Sequence, residues 1–209
     1  MARIAVFGGT GHAGSHIAAE ARLRGHHVTT VSRHPAQGLA DHAVGSLQDD
    51  TLLDRVASTH DILVVAIPGA GDPPLVDVVP QVMRAAAAHD ARVGVVGGAA
   101  SLRVSPDGPR LLDTPDFPPE YRTEATVHAS VLETMQQDTS GARWFYLSPA
   151  AMFGAPLSIA STGAYRTSGD VLLSDEQGVS EISGADYARA FLDEIERPSH
   201  ENTRFHVAR

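Results

Sequence analysis

The sequence of 209 residues contains no cysteine, which excludes disulfide bonds, zinc–thiolate sites and a thiol nucleophile. It also lacks an apolar run of the roughly 18 residues that a membrane-spanning helix needs. Met1 leads directly into a short strand-like run, "RIAVFGG", without the longer apolar segment and cleavage site of a secretory signal. These absences lead us to expect a cytoplasmic protein with no membrane partner.

The sequence has fewer basic than acidic side chains. It contains 16 Lys and Arg residues and 25 Asp and Glu residues, which gives a formal net charge of −9. Proteins that bind nucleic acids usually carry a basic patch or stripe, and no cluster of basic residues occurs here. We therefore expect small-molecule partners and no nucleic acid. The length and the apolar fraction of 43% suit one globular domain over residues 1–209. We expect the protein to be a monomer or a homodimer.

Short apolar runs alternate with alanine-rich stretches through most of the chain. Residues 61–69 and 91–99 are almost continuously apolar, as in strands buried on both faces. Residues 75–90 and 123–137 have helical periodicity instead. This alternation predicts an α/β fold, a doubly wound parallel sheet with helices on both faces. The predicted strands are 3–9, 27–33, 61–69, 91–99, 143–153 and 204–208, and a third strand is predicted directly before residues 45–49. The predicted helices are 14–26, 51–58, 75–90, 123–137 and 184–198.

Three glycines, Gly8, Gly11 and Gly14, follow the first predicted strand in the stretch "VFGGTGHAGSHI". Glycines between a strand and a helix permit a tight turn and close approach of the backbone to a pyrophosphate. The free N–H groups at the start of the helix also attract phosphate. We therefore predict a dinucleotide site here, against the alternative of a tight turn without a ligand. The residues expected to hold the pyrophosphate are Gly8, Thr10, Gly11, His12 and Ala13.

The end of the second predicted strand, "TTVSRHP", indicates which dinucleotide is preferred. An Asp or Glu at this place bonds the ribose 2′-OH of NAD, whereas a basic residue suits the 2′-phosphate of NADP. Here Ser32 and Arg33 occupy the position, without a carboxylate. The pattern favours NADP(H) as the cofactor. The alternative is that Arg33 is an ordinary solvated surface charge.

Loops after the other predicted strands are expected to meet the same ligand. In an open parallel sheet, ligands bind outside the carboxyl ends of the strands. Leu47 is placed to pack on the adenine, and Met152 and Phe153 follow the last central strand, where they could flank the nicotinamide and an acceptor. Further cofactor-binding residues expected from these loops are Ile67, Pro68, Gly97, Gly98, Pro149 and Ala150.

Residues 103–122 contain five prolines and show no clear periodicity. Irregular segments of that length are usually functional lids or mobile segments. The chain after Pro149 is also rich in turns. We expect residues 103–122 and 150–183 to form the loops on the substrate side, the second as part of a small C-terminal substrate region.

The quoted glycine stretch, together with "SRHP", "VGGAASL", "WFYLSPAAMF", "STGAYRTS" and "SEISGADYARAFLDEIE", resembles the atypical short-chain dehydrogenases/reductases. Within that group the chain is similar, over nearly its whole length, to the NADPH-dependent flavin reductases and the biliverdin-IXβ reductase. The resemblance implies a Rossmann-like sheet, bound NADP(H), and hydride transfer to a conjugated acceptor, with FMN or FAD as a substrate.

The catalytic Tyr-x-x-x-Lys dyad of ordinary short-chain dehydrogenases, in which lysine lowers the tyrosine pKa, is incomplete here. Tyr121 is followed four residues later by Ala125. Reduction of an electrophilic ring does not depend on that dyad, because the cofactor supplies the difficult chemistry. The candidate catalytic residues are Tyr121, Ser101, which lies near the position where such reductases carry a serine, and His128 on the helix before the last core strand.

His12 and His16 lie four residues apart, a spacing that could chelate a metal. Because His12 lies in the glycine turn, a phosphate contact or simple exposure to solvent is the better interpretation, and we predict no metal site.

These features favour an NADPH-dependent reductase that transfers hydride to a flavin, a quinone or a similar conjugated acceptor. One alternative is a redox sensor that resembles the NmrA-like regulators and binds NADP without turnover. The other is a non-redox isomerase or dehydratase on the same fold.

Overall fold

The computed structural model describes residues 1–36, 38 and 41–209. Strands and helices alternate through most of this chain, as the apolar pattern predicts. The strands are β1 (Arg3–Phe7), β2 (His27–Ser32), β3 (His42–Val44), β4 (Ile62–Val65), β5 (Arg92–Val96), β6 (Arg143–Ser148), β7 (Arg166–Ser168) and β8 (Thr203–Ala208). The α-helices are α1 (His12–Leu23), α2 (Asp50–Thr59), α3 (Leu75–Ala88), α4 (Arg122–Gln136) and α5 (Gly184–Glu196).

The eight strands form one sheet in the order β3-β2-β1-β4-β5-β6-β8-β7. β1 lies between β2 and β4 and pairs with both in parallel. The order therefore reverses direction between β1 and β4. At the far edge, β7 pairs antiparallel with β8. The predicted doubly wound parallel sheet is confirmed, with one short antiparallel strand added.

Helices cover both faces of this sheet. Side chains alternate along β1, so that Ala5 and Phe7 pack with α2, α3 and α4, whereas Ile4 and Val6 pack with α1 and α5. Along β6, Trp144 and Tyr146 likewise point to the first of these faces, and Phe145 and Leu147 to the second. Because helices cover both faces, ligands can reach the sheet only at the ends of its strands.

Several predicted strands are too long at their carboxyl ends. β4, β5 and β6 end at Val65, Val96 and Ser148, three to five residues before the predicted limits. Pro68 and Pro149 lack the N–H that would continue a ladder. A Cβ on Gly97 would lie 2.0 Å from the Tyr146 ring, so the chain after β5 packs directly against that ring. Apolar residues continue past each strand because the following loops are partly buried.

The proline-rich segment 103–122 is more ordered than the sequence suggests. It contains two short 3₁₀ helices, Leu111–Asp113 and Pro119–Tyr121. Leu112 and Phe117 are buried in a small apolar cluster with Ala100 and Ala125. The segment is therefore anchored to α4 and to the loop after β5, rather than being a structureless lid.

The segments 103–122 and 150–183, which we predicted to lie together on the substrate side, contact each other. The N–H of Arg103 donates to the carbonyl of Asp170 at 2.8 Å, and the N–H of Leu172 donates to the carbonyl of Arg103 at 2.8 Å. This contact holds the two segments next to β8. Among the helices in the described ranges, none has the length and apolar character needed to cross a membrane.

A buried histidine joins β8 to β6 and to the loop after β7. Nδ1 of His206 lies 3.0 Å from the carbonyl oxygen of Ser148, and Nε2 accepts the N–H of Leu173 at 3.0 Å. The side chain is fully buried. Burial lowers the pKa of His206 to about 4, so the folded protein holds a neutral imidazole at this place.

We predict that the pKa of His206 makes the free energy of unfolding fall as pH decreases. Because the pKa is lower in the folded state than in the unfolded chain, the neutral ring favours folding above about pH 6.5. This contribution is lost as the pH falls through the folded value of about 4, with an upper limit on the order of 3 kcal/mol.

The measurement is urea unfolding of the wild-type protein and the His206→Gln variant from neutral pH to about pH 4. The variant keeps an acceptor near Leu173 and should show a shallower pH dependence, even though it is less stable at neutral pH. The same substitution at the exposed His27 controls for loss of one imidazole. Parallel curves for the wild type and His206→Gln would contradict the prediction.

Candidate functional site

The carboxyl ends of the parallel strands lie along one edge of the sheet, and the strand order reverses there between β1 and β4. Loops that leave β1 and β4 in opposite directions open a crevice at such a point. The glycine turn follows β1, and residues 66–71 follow β4. The candidate site is therefore built around these two loops.

Close packing of the glycine turn explains two of its glycines. Gly8 has φ of +80°, and a Cβ there would lie 2.2 Å from the carbonyl oxygen of Ala66. A Cβ on Gly14 would lie 2.2 Å from the carbonyl oxygen of Gly8. Any side chain at either position would push the turn away from β4 or α1 away from the turn. These glycines bring the start of α1 to the crevice.

The start of α1 has N–H groups without intrahelical partners. Gly11 is the N-cap residue and has no side chain that could cap the helix. The first intrahelical bond runs from the N–H of Ser15 to the carbonyl of Gly11 at 2.9 Å. The N–H groups of His12, Ala13 and Gly14 precede that bond, at the positive end of the helix dipole. The first turn of α1 contains no acidic residue that would repel an anion.

A cavity of about 550 Å³ opens beside the glycine turn, between the loops after β1, β2, β3 and β4. Its wall includes many of the predicted cofactor-binding residues. These are Gly8, Thr10, Gly11, Ser32, Arg33, Leu47, Ile67 and Pro68.

The sequence analysis missed other residues of the same wall. Val78 on α3 adds to the apolar part of the wall. Gln48 connects two of the lining loops, because its Nε2 donates to the carbonyl of Asp72 at 3.2 Å. Most of the missed residues lie in the same loops as the predicted ones. The rule that ligands bind at the carboxyl ends of parallel strands could therefore have identified them. The missed residues are Phe7, Val31, His34, Pro35, Ala36, Gly45, Ser46, Gln48, Ala66, Gly71, Asp72, Pro73 and Val78.

Arg33 lies at the rim of the cavity, immediately after β2. The hydroxyl of Ser32 donates to the carbonyl of His34 at 2.8 Å, which holds the turn around Arg33. Arg33 is exposed and forms no ion pair with any residue in the ranges that the structure covers. A cation in this position can approach an anionic ligand that lies in the cavity.

The predicted nicotinamide-side residues do not line this cavity. The N–H of Gly98 donates to the Tyr146 hydroxyl at 2.9 Å, and Gly97 packs against the Tyr146 ring. Pro149 is buried, and Ala150 belongs to the apolar core under α1 and α5. These residues follow β5 and β6 along the same sheet edge. Their predicted contact with a nicotinamide stays a prediction.

The three candidate catalytic residues lie in different surroundings. Tyr121 is 63% exposed and does not line the cavity. The hydroxyl of Ser101 accepts a hydrogen bond from Nη1 of Arg204 at 2.9 Å, which ties the loop after β5 to β8. His128 is buried, and its Nε2 lies 3.2 Å from Oε1 of Glu124. Ser101 and His128 therefore already have protein partners.

Phe153, which we predicted to contact the acceptor, lies next to the start of α1, and its contact with an acceptor stays a prediction. Its ring is 4.6 Å from the Tyr187 ring and 5.3 Å from the His12 ring, centroid to centroid. Met152 is 43% exposed.

Burial and the nearby His16 lower the pKa of His12. In the part of the chain that the structure describes, no three metal-ligating side chains are grouped together.

Comparison with known proteins assigns the family. The sequence model of the NAD(P)H-binding family matches residues 8–198. The uncharacterized protein YwnB of Bacillus subtilis (strain 168) is 37% identical over 98% of this chain and 97% of its own length. SP1627 of Streptococcus pneumoniae TIGR4, a proposed NADH-flavin reductase, is 31% identical with a TM-score of 0.86, over 100% of this chain and 99% of its own.

A more distant structure has the same fold. The short-chain dehydrogenase/reductase (wide type) of Veillonella parvula DSM 2008, solved in complex with NADP, has a TM-score of 0.72 at 14% identity. The match covers 100% of this chain and 95% of that one. With the family match, it confirms the Rossmann-like architecture. The chain belongs to the NAD(P)H-binding family.

Proposed function

We propose that the protein is an NADPH-dependent reductase that transfers hydride to a flavin, a quinone or a similar planar conjugated acceptor. The observation that carries the proposal is the glycine turn, because it presents the uncapped start of α1 to a preformed cavity at the β1–β4 reversal. A nicotinamide dinucleotide needs both features together: N–H donors for its pyrophosphate and an apolar wall for its adenine.

The cavity fits the adenosine half of such a cofactor. Leu47, Ile67 and Val78 give it an apolar wall. Thr10 and Gly11 also line the cavity, and Gly11 is the N-cap residue of α1, whose free N–H groups would hold the pyrophosphate. The family match supports binding of NAD(P)H in general, and Arg33 at the rim supports NADPH over NADH.

Bound NADPH would supply the hydride, and the protein would supply binding and orientation. Two-electron reduction of a conjugated ring takes up one hydride and one proton. The sequence contains no lysine, because all 16 of its Lys and Arg residues are arginine. A Tyr-x-x-x-Lys proton donor is therefore impossible in this sequence, and we propose that the proton comes from solvent. Met152 and Phe153 are the residues that we propose contact the acceptor.

Replacing Gly11 by Ala should weaken NADPH binding by more than about tenfold, because the added Cβ would stand where the turn faces the pyrophosphate. Gly11 has φ of −79°, which alanine adopts, and the nearest atom to a Cβ is the Gly8 oxygen at 3.3 Å. Stability should therefore fall by no more than about 1 kcal/mol. Calorimetric titration with NADPH and thermal unfolding separate the two effects.

The matched control for this change is Gly169→Ala, because no atom lies within 4 Å of a Cβ at that position. Unchanged NADPH affinity in a folded Gly11→Ala protein would rule out the glycine turn as the pyrophosphate site.

Replacing Arg33 by Ala should weaken NADPH binding by about tenfold or more while leaving NADH binding unchanged, because the 2′-phosphate loses a charged partner. Titration of both cofactors against the wild type and the variant measures the change. Arg55→Ala, an exposed arginine on α2, is the control. An equal loss for NADPH and NADH, or no loss for either, would remove Arg33 from the site.

Mixing the protein with NADPH and either FMN or a soluble quinone should oxidise the cofactor at a rate that saturates with each acceptor. The loss of reduced-nicotinamide absorbance reports this turnover directly. Saturable binding of NADPH without turnover of any planar acceptor would instead favour the NADP-binding sensor or the non-redox enzyme.

A further inference from the structure

A carboxylate on α4 holds the loop that forms one wall of the cavity. Oε1 of Glu124 accepts the N–H of Gly69 at 2.7 Å, and Oε2 accepts the N–H of Ala70 at 2.8 Å. Both oxygens of one side chain are thus bonded to consecutive amides of the loop after β4. Hydrogen bonds of this kind, from neutral donors to a charged acceptor, are stronger than those between neutral groups.

The same helix also holds the loop after β5. Nε2 of His128, one turn along α4, lies 3.2 Å from Oε1 of Glu124. The Tyr146 hydroxyl donates to the His128 carbonyl at 3.0 Å and accepts the N–H of Gly98 at 2.9 Å. α4 is therefore attached to both loops: to the loop after β4 through the Glu124 carboxylate, and to the loop after β5 through the His128 carbonyl and the Tyr146 hydroxyl.

The loop after β4 separates this network from the cavity. Ile67, Pro68 and Gly71 line the cavity. Gly69, between them, faces the other way, because a Cβ there would lie 2.9 Å from Cδ2 of His128 and 3.4 Å from Oε1 of Glu124. A side chain at this position would push the loop off α4. The position of the cavity wall therefore depends on how the loop is attached at Gly69.

The network keeps Glu124 ionised. The hydrogen bond from His128, followed by those from the amides of Ala70 and Gly69, lowers the pKa of Glu124 to about 2. Glu124 also lies in the first turn of α4, where negative charge is favourable. The carboxylate therefore stays an acceptor for both amides at any pH near neutral.

We propose that Glu124, oriented by His128, is a positioning residue that fixes the loop of residues 66–71 and so sets the affinity for the nicotinamide cofactor. The inference rests on the proposed function only in naming NADPH as the ligand. Glu124 does not line the cavity, so its effect reaches the ligand through the loop. Its removal should raise the Kd and KM for NADPH more than it lowers kcat.

The test compares wild type, Glu124→Gln and Glu124→Asp. Glutamine has the same shape, but its NH₂ group cannot accept the second amide, and aspartate keeps the charge but is one methylene shorter. Both should weaken NADPH binding by about tenfold and change kcat at saturating NADPH by less than about twofold. Glu133→Gln is the control, since Glu133 is exposed on the same helix and its ion-pair partner Arg110 is 3.8 Å away.

A second readout does not need the cofactor. In ¹⁵N–¹H spectra of the protein alone, the Gly69 and Ala70 amide signals should shift in Glu124→Gln and stay in place in Glu133→Gln. Unshifted signals, or wild-type NADPH affinity in either Glu124 variant, would overturn the inference. If the wild type binds no NADPH, the proposed function fails separately, and the amide signals alone decide whether Glu124 holds the loop.

Discussion

The candidate site depends on the missing side chains at Gly8 and Gly14. A Cβ on Gly8 would lie 2.2 Å from the carbonyl oxygen of Ala66, and a Cβ on Gly14 would lie 2.2 Å from the carbonyl oxygen of Gly8. These two contacts bring the end of β1, the end of β4 and the start of α1 close together. The cavity, the free N–H groups of α1 and the strand reversal coincide because of them. Backbone meets backbone directly at these contacts, so no side chain can rearrange to make room.

The sequence predicts most of the fold because the buried strands and helices carry strong periodic patterns. It does not predict strand ends, since the loops after β4, β5 and β6 remain partly buried and therefore remain apolar. It also misses β7, because three residues carry no period and Arg166 to Ser168 are held by pairing with β8. The order in segment 103–122 was likewise unpredictable, because Leu112 and Phe117 are anchored by packing with Ala100 and Ala125, which no periodic pattern in the segment indicates.

For the candidate site, the sequence indicates the groups that follow strand ends. It identified the glycine turn and Arg33 because their position along the chain fixes their place in the fold. It did not identify Glu124, because a Glu and a His four residues apart on a helix are a common surface pair. Their significance comes from the backbone amides of Gly69 and Ala70, which only the folded chain brings to α4. His128, a catalytic candidate from the sequence, has its ring nitrogen directed to this carboxylate instead.

The two outermost strands of the sheet, β3 and β7, are each three residues long. A strand at the border of a sheet exposes unpaired N–H and C=O groups that can recruit another polypeptide. With three residues at each border, a neighbouring copy could gain few backbone hydrogen bonds by extending the sheet. The architecture thus disfavours self-association through β-strand addition at either border.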